Sequence, residues 1–208
     1  MDPRSETPTP VRLLEETIRM IETAGESAVN LRAVAAACGV TTPIIYKAFG
    51  SRDGLIVAAQ AERFRRAIDG IAAPFSAAVE SATTVEELRR VVVALTAATQ
   101  HPDRAPFRRA QMEVLGASIG RPELRAAVDR ALRSLIDRSA DALRTVQARG
   151  LLRRDAAIPE LLWWFYGQVQ GRILLEQTDA DVDHTAWNRT SLAAVLAVLL
   201  EPEPDEGG

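Results

Sequence analysis

The stretch Asn30 to Arg52, NLRAVAAACGVTTPIIYKAFGSR, constrains this chain more than any other. It reads as two short helices joined at Gly39, which supplies the unusual backbone of a tight turn. Asn30 is a good N-cap for a helix from Leu31 to about Cys38. Thr42 followed by Pro43 reads as an N-cap with proline at the first helical position, opening a helix to about Phe49. The exposed face of that helix carries hydroxyls, an aromatic and Lys47, the only lysine in the chain. The surrounding run, Ser27 to Arg52, holds no aspartate or glutamate in a chain with 28 acidic residues. A surface that approaches phosphates must be cleared of carboxylates, and a helix pair of this kind suits a DNA major groove.

Beyond this stretch nearly everything has helical period and almost nothing alternates at period two. Val11, Leu14, Ile18 and Ile21 predict a first helix that Gly25 stops. Ser51, followed by Asp53, predicts a fourth through Leu55, Ile56, Ala59 and Phe64, ended by Pro74 or by the SATT stretch at Ser81 to Thr84. Thr84 and Glu87 form a capping box for a helix to about Gln100. A loop HPDRAP precedes a helix from about Pro106 to Ile119. Arg121-Pro122-Glu123 opens a long helix that Gly150 ends. Pro159 opens another to about Gln177, and the last spans roughly His184 to Leu200. The expectation is an all-α fold of about nine helices. Residues 1–9 and 201–208 are rich in Pro, charge or Gly and read as disordered tails.

A net charge of −3 argues against a protein that coats nucleic acid nonspecifically, so any DNA contact must come from a local patch. Cys38 stands alone, which excludes an internal disulfide framework and fits a reducing compartment. The start lacks the apolar core of a signal peptide, and Leu192 to Leu200 is too short to cross a bilayer. The expected location is cytoplasmic. His101 and His184 are far apart, and no Cys/His/Asp cluster has metal-ligand spacing. No nucleophile–base pair and no phosphate-cradling glycine loop is present, so neither an enzyme nor a cofactor is expected.

The spacing Gly39-Val40, Tyr46, Phe49, Ser51-Arg52 and Leu55, together with Leu31, Val34, Ala35, Cys38 and Ile45, resembles the TetR family of bacterial transcriptional regulators. With the upstream helix the match covers most of the first 60 residues, and the all-helical length of about 200 agrees. The resemblance implies a three-helix DNA-binding domain over residues 10–54. It further implies a larger helical domain over 55–200 that dimerises and binds an effector, with the helix from 52 linking the two. Leu31, Val34, Ala35, Val40, Ile45 and Phe49 are then core. The outward face of the third helix is Thr41, Thr42, Pro43, Ile44 and Lys47. Thr42 can bond base edges and Ile44 can offer apolar contact to a thymine methyl. Tyr46 and Lys47 occupy positions that the resembling proteins use for phosphate. Arg52, at a helix start, is a second phosphate candidate, and Asn30 with the amides after it a third. Cys38 reads as a small buried apolar residue rather than a redox sensor.

The resemblance also implies a homodimer through the helices at about 159–177 and 184–200. The run Trp163 to Tyr166, with Gly167 and Gly171 four apart, makes the first of these apolar nearly all round. Candidates for an effector cavity are Phe107, Gln111, Met112 and Leu115, with Trp163, Tyr166, Gln168 and Gln170. Arg108 and Arg109 read as exposed surface charge. The functional expectation is a repressor on a double-stranded operator, released by a small apolar or amphipathic molecule. The alternatives are a helical small-molecule carrier and a DNA-binding protein without a ligand.

Overall fold

The computed structural model describes residues 8–178 and 181–200, and among these there are nine α-helices, two single 3-10 turns and no strand. The helices are α1 (Thr9–Ala24), α2 (Leu31–Ala37), α3 (Thr42–Phe49), α4 (Arg52–Ser81), α5 (Val85–Gln100), α6 (Ala105–Ser118), α7 (Pro122–Ala148), α8 (Ile158–Leu175) and α9 (His184–Leu199). The expected tails lie outside the described residues over 1–7 and 201–208. Thr9, read as part of the first tail, instead begins α1 behind Pro8.

The chain divides into two compact units. The first holds the described residues up to Arg66 together with Val114–Arg130, and the second the remainder. This differs from a division in chain order near residue 54, which falls inside α4. The end of α6 and the start of α7 belong to the first unit, and Val114, Leu124 and Val128 on them are buried.

In the first unit Leu13, Ile18, Ile21, Val29, Val34, Ala35, Cys38, Ile45, Leu55, Ile56 and Ala59 form one core, with Leu14, Leu31, Val40 and Phe49 packed at its edge. The buried face of α1 is shifted from the expected one. Val11 is 40% exposed, whereas Leu13 and Thr17 are sealed. Thr17 can go inside because its hydroxyl donates to the Leu13 carbonyl at 2.7 Å. A polar residue that satisfies itself on its own helix is invisible to a hydrophobic period.

The turn between α2 and α3 rests on Gly39, whose φ of 65° lies in the left-handed region that favours glycine. Thr41, not Thr42, is the N-cap of α3, and no side-chain bond closes that cap. At the next turn Ser51 Oγ accepts from the Gly54 amide at 2.9 Å. A Cβ on Gly54 would run into the Phe49 carbonyl oxygen, so this turn is closed to larger residues.

In the second unit α4 continues through Pro74 to Ser81, and the SATT stretch is the stop. Proline removes one helical bond, yet Ile68, Ala72 and Val79 are buried on either side of it, and packing outweighs the local loss. The capping box at α5 is half formed. Thr84 Oγ1 accepts from the Glu87 amide at 3.1 Å, while the Glu87 carboxylate turns to the amide and hydroxyl of Thr83. Val79, Leu88, Val92, Leu143, Val146, Ile158, Leu161, Val195 and Leu199 belong to one core.

Candidate nucleic-acid interface and apolar cavity

α3 presents its two faces very differently. Ile45 is fully buried, whereas Ile44 is 40% and Tyr46 51% exposed. Thr41, Pro43 and Lys47 are exposed and Thr42 is half-buried. The sequence-derived outward face therefore lies at the surface, with the sealed Ile45 holding it in place. Arg32, exposed on the first turn of α2, is a further cation of the same acid-free run and was readable there.

Asn30 and Arg52 are more occupied than expected. The Asn30 Oδ1 accepts from the amides of Arg32 at 2.9 Å and Ala33 at 3.3 Å, so those two amides are not available to a phosphate. Arg52 Nε donates to the Val29 carbonyl at 2.8 Å, and its Nη2 to those of Glu26 at 2.8 Å and Ser27 at 3.3 Å. Most of its donors are spent clamping α4 to the segment that leads into α2. A guanidinium suits this because its fork reaches several carbonyls at once.

The same segment is held from a second side. Arg121, at the start of α7, forms a bidentate pair with Glu26 at 2.9 and 2.8 Å, and Gln60 donates to the same carboxylate at 2.7 Å. The Arg121 guanidinium holds the Glu26 carboxyl below its ordinary value, against burial, with Gln60 helping. Glu62 is lowered to about 2, chiefly by Arg65 and further by Arg66, which also reaches Glu15 on α1. Cys38 is buried, its thiol donates to the Arg12 carbonyl at 3.4 Å, and burial pushes its pKa up. These features make it a packing residue.

The second unit contains an apolar cavity of about 150 Å³. Its wall draws on α4 (Ile71, Phe75), α5 (Val92, Leu95, Thr96, Thr99), α6 (Gln111), α7 (Leu135, Ile136, Ser139, Leu143), α8 (Leu161, Leu162, Phe165, Tyr166, Val169) and α9 (Val195, Leu199). None of these side chains is charged.

Of the eight sequence candidates, only Gln111 and Tyr166 line this cavity. Leu115 belongs to the first unit and Trp163 is 41% exposed. Phe107 and Met112 are half-buried outside the lining. Gln168 serves as a strut, its Oε1 accepting from Trp187 Nε1 at 3.0 Å and Ser191 Oγ at 2.8 Å, which ties α8 to α9. Gln170 does not line the wall. Burial raises the Tyr166 phenol to about 12, with Gln170 partly offsetting it. The walls on α4, α5 and α7 were missed because six helices, several far apart in sequence, converge to make the cavity.

Arg108 is not surface charge. It is 2% exposed, donates to Glu176 at 3.2 and 2.6 Å, and reaches the carbonyls of Thr99 and His101. Arg172 meets Glu176 from the other side at 3.0 Å and also donates to Asn188. Burial pushes the Glu176 carboxyl up, but Arg108 and Arg172 together bring it below its ordinary value.

The outer faces of α8 and α9 are apolar or small. Trp164, Gly167 and Leu174 are exposed, Gly171 lies on the same stripe, and a Cβ on either glycine would meet nothing within 4 Å. Thr190, Ala193 and Ala197 form a matching exposed stripe on α9. Among the described residues no helix is long and apolar enough to cross a membrane, and no cluster of His, Cys, Asp and Glu could hold a metal.

Residues 13–59 match the family model described as bacterial regulatory proteins, tetR family. No curated protein matches the chain. Among solved structures, the chain is similar to a candidate TetR-family transcriptional regulator from Mesorhizobium loti, at TM-score 0.69 and 14% identity, covering 97% of this chain and 100% of that one. It is similar to a candidate transcriptional regulator from Saccharomonospora viridis in complex with choline, at TM-score 0.62 and 19% identity over 93% and 98%. A third is the fatty acid degradation regulator FadR from Bacillus halodurans, at TM-score 0.57 and 17% identity over 92% and 96%. At these identities the likeness concerns the fold.

Proposed function

We propose that this chain, a TetR-family protein by the match of residues 13–59, is a homodimeric repressor released by a small apolar or amphipathic effector. The observation that carries the DNA-binding half is the surface of α3. Ile44, Tyr46 and Lys47 stand exposed over a sealed Ile45, in a run without carboxylates. In this reading Thr42 and Ile44 face base edges, with Thr41 and Pro43 beside them. Tyr46 and Lys47 bind phosphates of the double-stranded operator, and Asn30 adds a side-chain contact at the start of α2. Arg52 contributes chiefly by holding the α2 entry in position, as its carbonyl bonds support.

The dimer is formed by α8 and α9, whose exposed stripes of Trp164, Gly167, Gly171, Leu174, Ala193 and Ala197 permit close approach of a second copy. Two recognition helices fixed by one dimer read two half-sites at a set spacing, so an effector that alters that spacing costs much affinity. The effector enters the cavity of the second unit. We read the chain as non-enzymatic.

A gel shift with DNA from upstream of its own gene and of flanking genes tests the proposal. Lys47→Ala should weaken the complex about tenfold and lower the salt slope by about one, and Tyr46→Ala should weaken it comparably. Binding that is indifferent to both substitutions would remove α3 as the reading surface.

A further inference from the structure

The cavity leaves its polar chemistry unfinished. Gln111 is 5% exposed and its Nε2 has no hydrogen-bond partner, and the hydroxyl of Tyr166 likewise lacks one at bonding geometry. Both side chains belong to the lining of the same cavity, whose remaining wall is almost wholly apolar. Buried polar groups in folded proteins are nearly always satisfied, so a wall that keeps two of them open is built for something that completes the bonds. Arg108, one turn before Gln111 on α6, is already committed to Glu176 and to two carbonyls.

Resting on the effector reading above, we infer that the cavity takes a compact uncharged molecule with an apolar body and one oxygen acceptor, which receives the Gln111 Nε2 and Tyr166 hydroxyl protons. The acceptor is required because an amide nitrogen can only donate. The ligand is uncharged because a carboxylate or ammonium would be buried with no partner of opposite sign. Its size is about that of one substituted aromatic ring, since an apolar cavity of about 150 Å³ accommodates benzene. Tyr166 stays a neutral donor throughout the physiological range, its phenol held at about 12.

Titration calorimetry and thermal shift on the full chain, without DNA, test this with four probes of matched size: acetophenone, ethylbenzene, benzoate and benzylamine. Acetophenone should bind and raise the melting temperature with concentration. Gln111→Leu should weaken acetophenone about tenfold while leaving ethylbenzene unchanged or tighter, and Tyr166→Phe should act in the same direction. Gln111→Leu should itself melt no lower than the wild type, because it replaces an unpartnered amide, and Gln111→Met carries the same ligand test should leucine misfold. Benzoate or benzylamine binding more tightly than acetophenone would overturn the inference. So would acetophenone failing to bind the wild type, or binding the Gln111 variants as well as the wild type. Operator binding measured on the same preparations separates the two claims. Protein that holds DNA but shows no ketone preference refutes the cavity assignment alone. Protein that shows the preference but holds no DNA supports the cavity assignment and refutes the regulator.

Discussion

The two units of this chain close their interiors to different degrees. Among the described residues eight buried side-chain atoms lack a hydrogen-bond partner; the first unit holds one, on Arg12, and the second holds the other seven, all on glutamines and Tyr166. The first unit spends its polar groups on itself. Asn30 caps α2, Arg52 binds three carbonyls, and Glu26 gathers Arg121 and Gln60. The second unit uses arginines just as thoroughly around Glu176, yet keeps a hollow with open donors beside it. A reading head gains from rigidity, because a displaced recognition helix loses its register. In the effector role proposed for it, the cavity needs unfilled space and unfilled bonds, and marginal stability is the usual cost.

The same kind of truncation in both places would test this contrast most strongly. Ile45→Ala should cost the first unit about 3–5 kcal/mol, whereas Leu143→Ala on the cavity wall should cost only about 2–3 kcal/mol, because a side chain beside a void has fewer contacts to lose. Denaturant titration of both variants decides it, and a larger loss at Leu143 would break the contrast. Next in size is Gly54→Ala, expected to cost about 1–3 kcal/mol by forcing apart the α3–α4 turn, while acetophenone binding by the second unit survives.

Smaller effects sharpen the picture of the first unit. Because Glu26 has a folded pKa below its ordinary value of 4.5, its contribution is complete above that value and fades as pH falls through the lowered one. Glu26→Gln should therefore cost about 1 kcal/mol at neutral pH, discounted for partial exposure, and flatten the acid limb of the stability curve below about pH 4.5. An unaltered acid limb would mean that the tether is idle. Smallest is Gly171→Ala, which should raise subunit stability by about 0.5–1 kcal/mol, since the new methyl meets open space. Sedimentation equilibrium should show the dimer weakened by the same change, and an unchanged dimer would move the interface elsewhere.

What could be read from residues alone was whatever is local. Gly25, Gly39 and Gly150 stop or turn the chain where expected, and all three have positive φ. The seams of α2, α3 and α4 follow from a motif whose spacing is short. Errors arose where a distant partner decides. Thr17 was passed over because its hydroxyl bonds its own helix, and Arg108 reads as surface charge because its carboxylate and carbonyl partners lie elsewhere in the chain. The cavity was the least legible. Gln111 and Tyr166 stood out as polar groups on apolar helices, but the α4, α5 and α7 walls carry no mark that separates lining from ordinary core.

The placement of the indoles has a practical corollary. All three tryptophans, at positions 163, 164 and 187, belong to α8 and α9, and Trp187 is anchored through its ring nitrogen to Gln168. Emission excited at the red edge of the indole band therefore reports on the second unit alone, with two fluorophores at the surface and one fixed by a strut. The reading head carries no indole and is silent in that channel, so the second half of the molecule can be followed by itself without any attached dye.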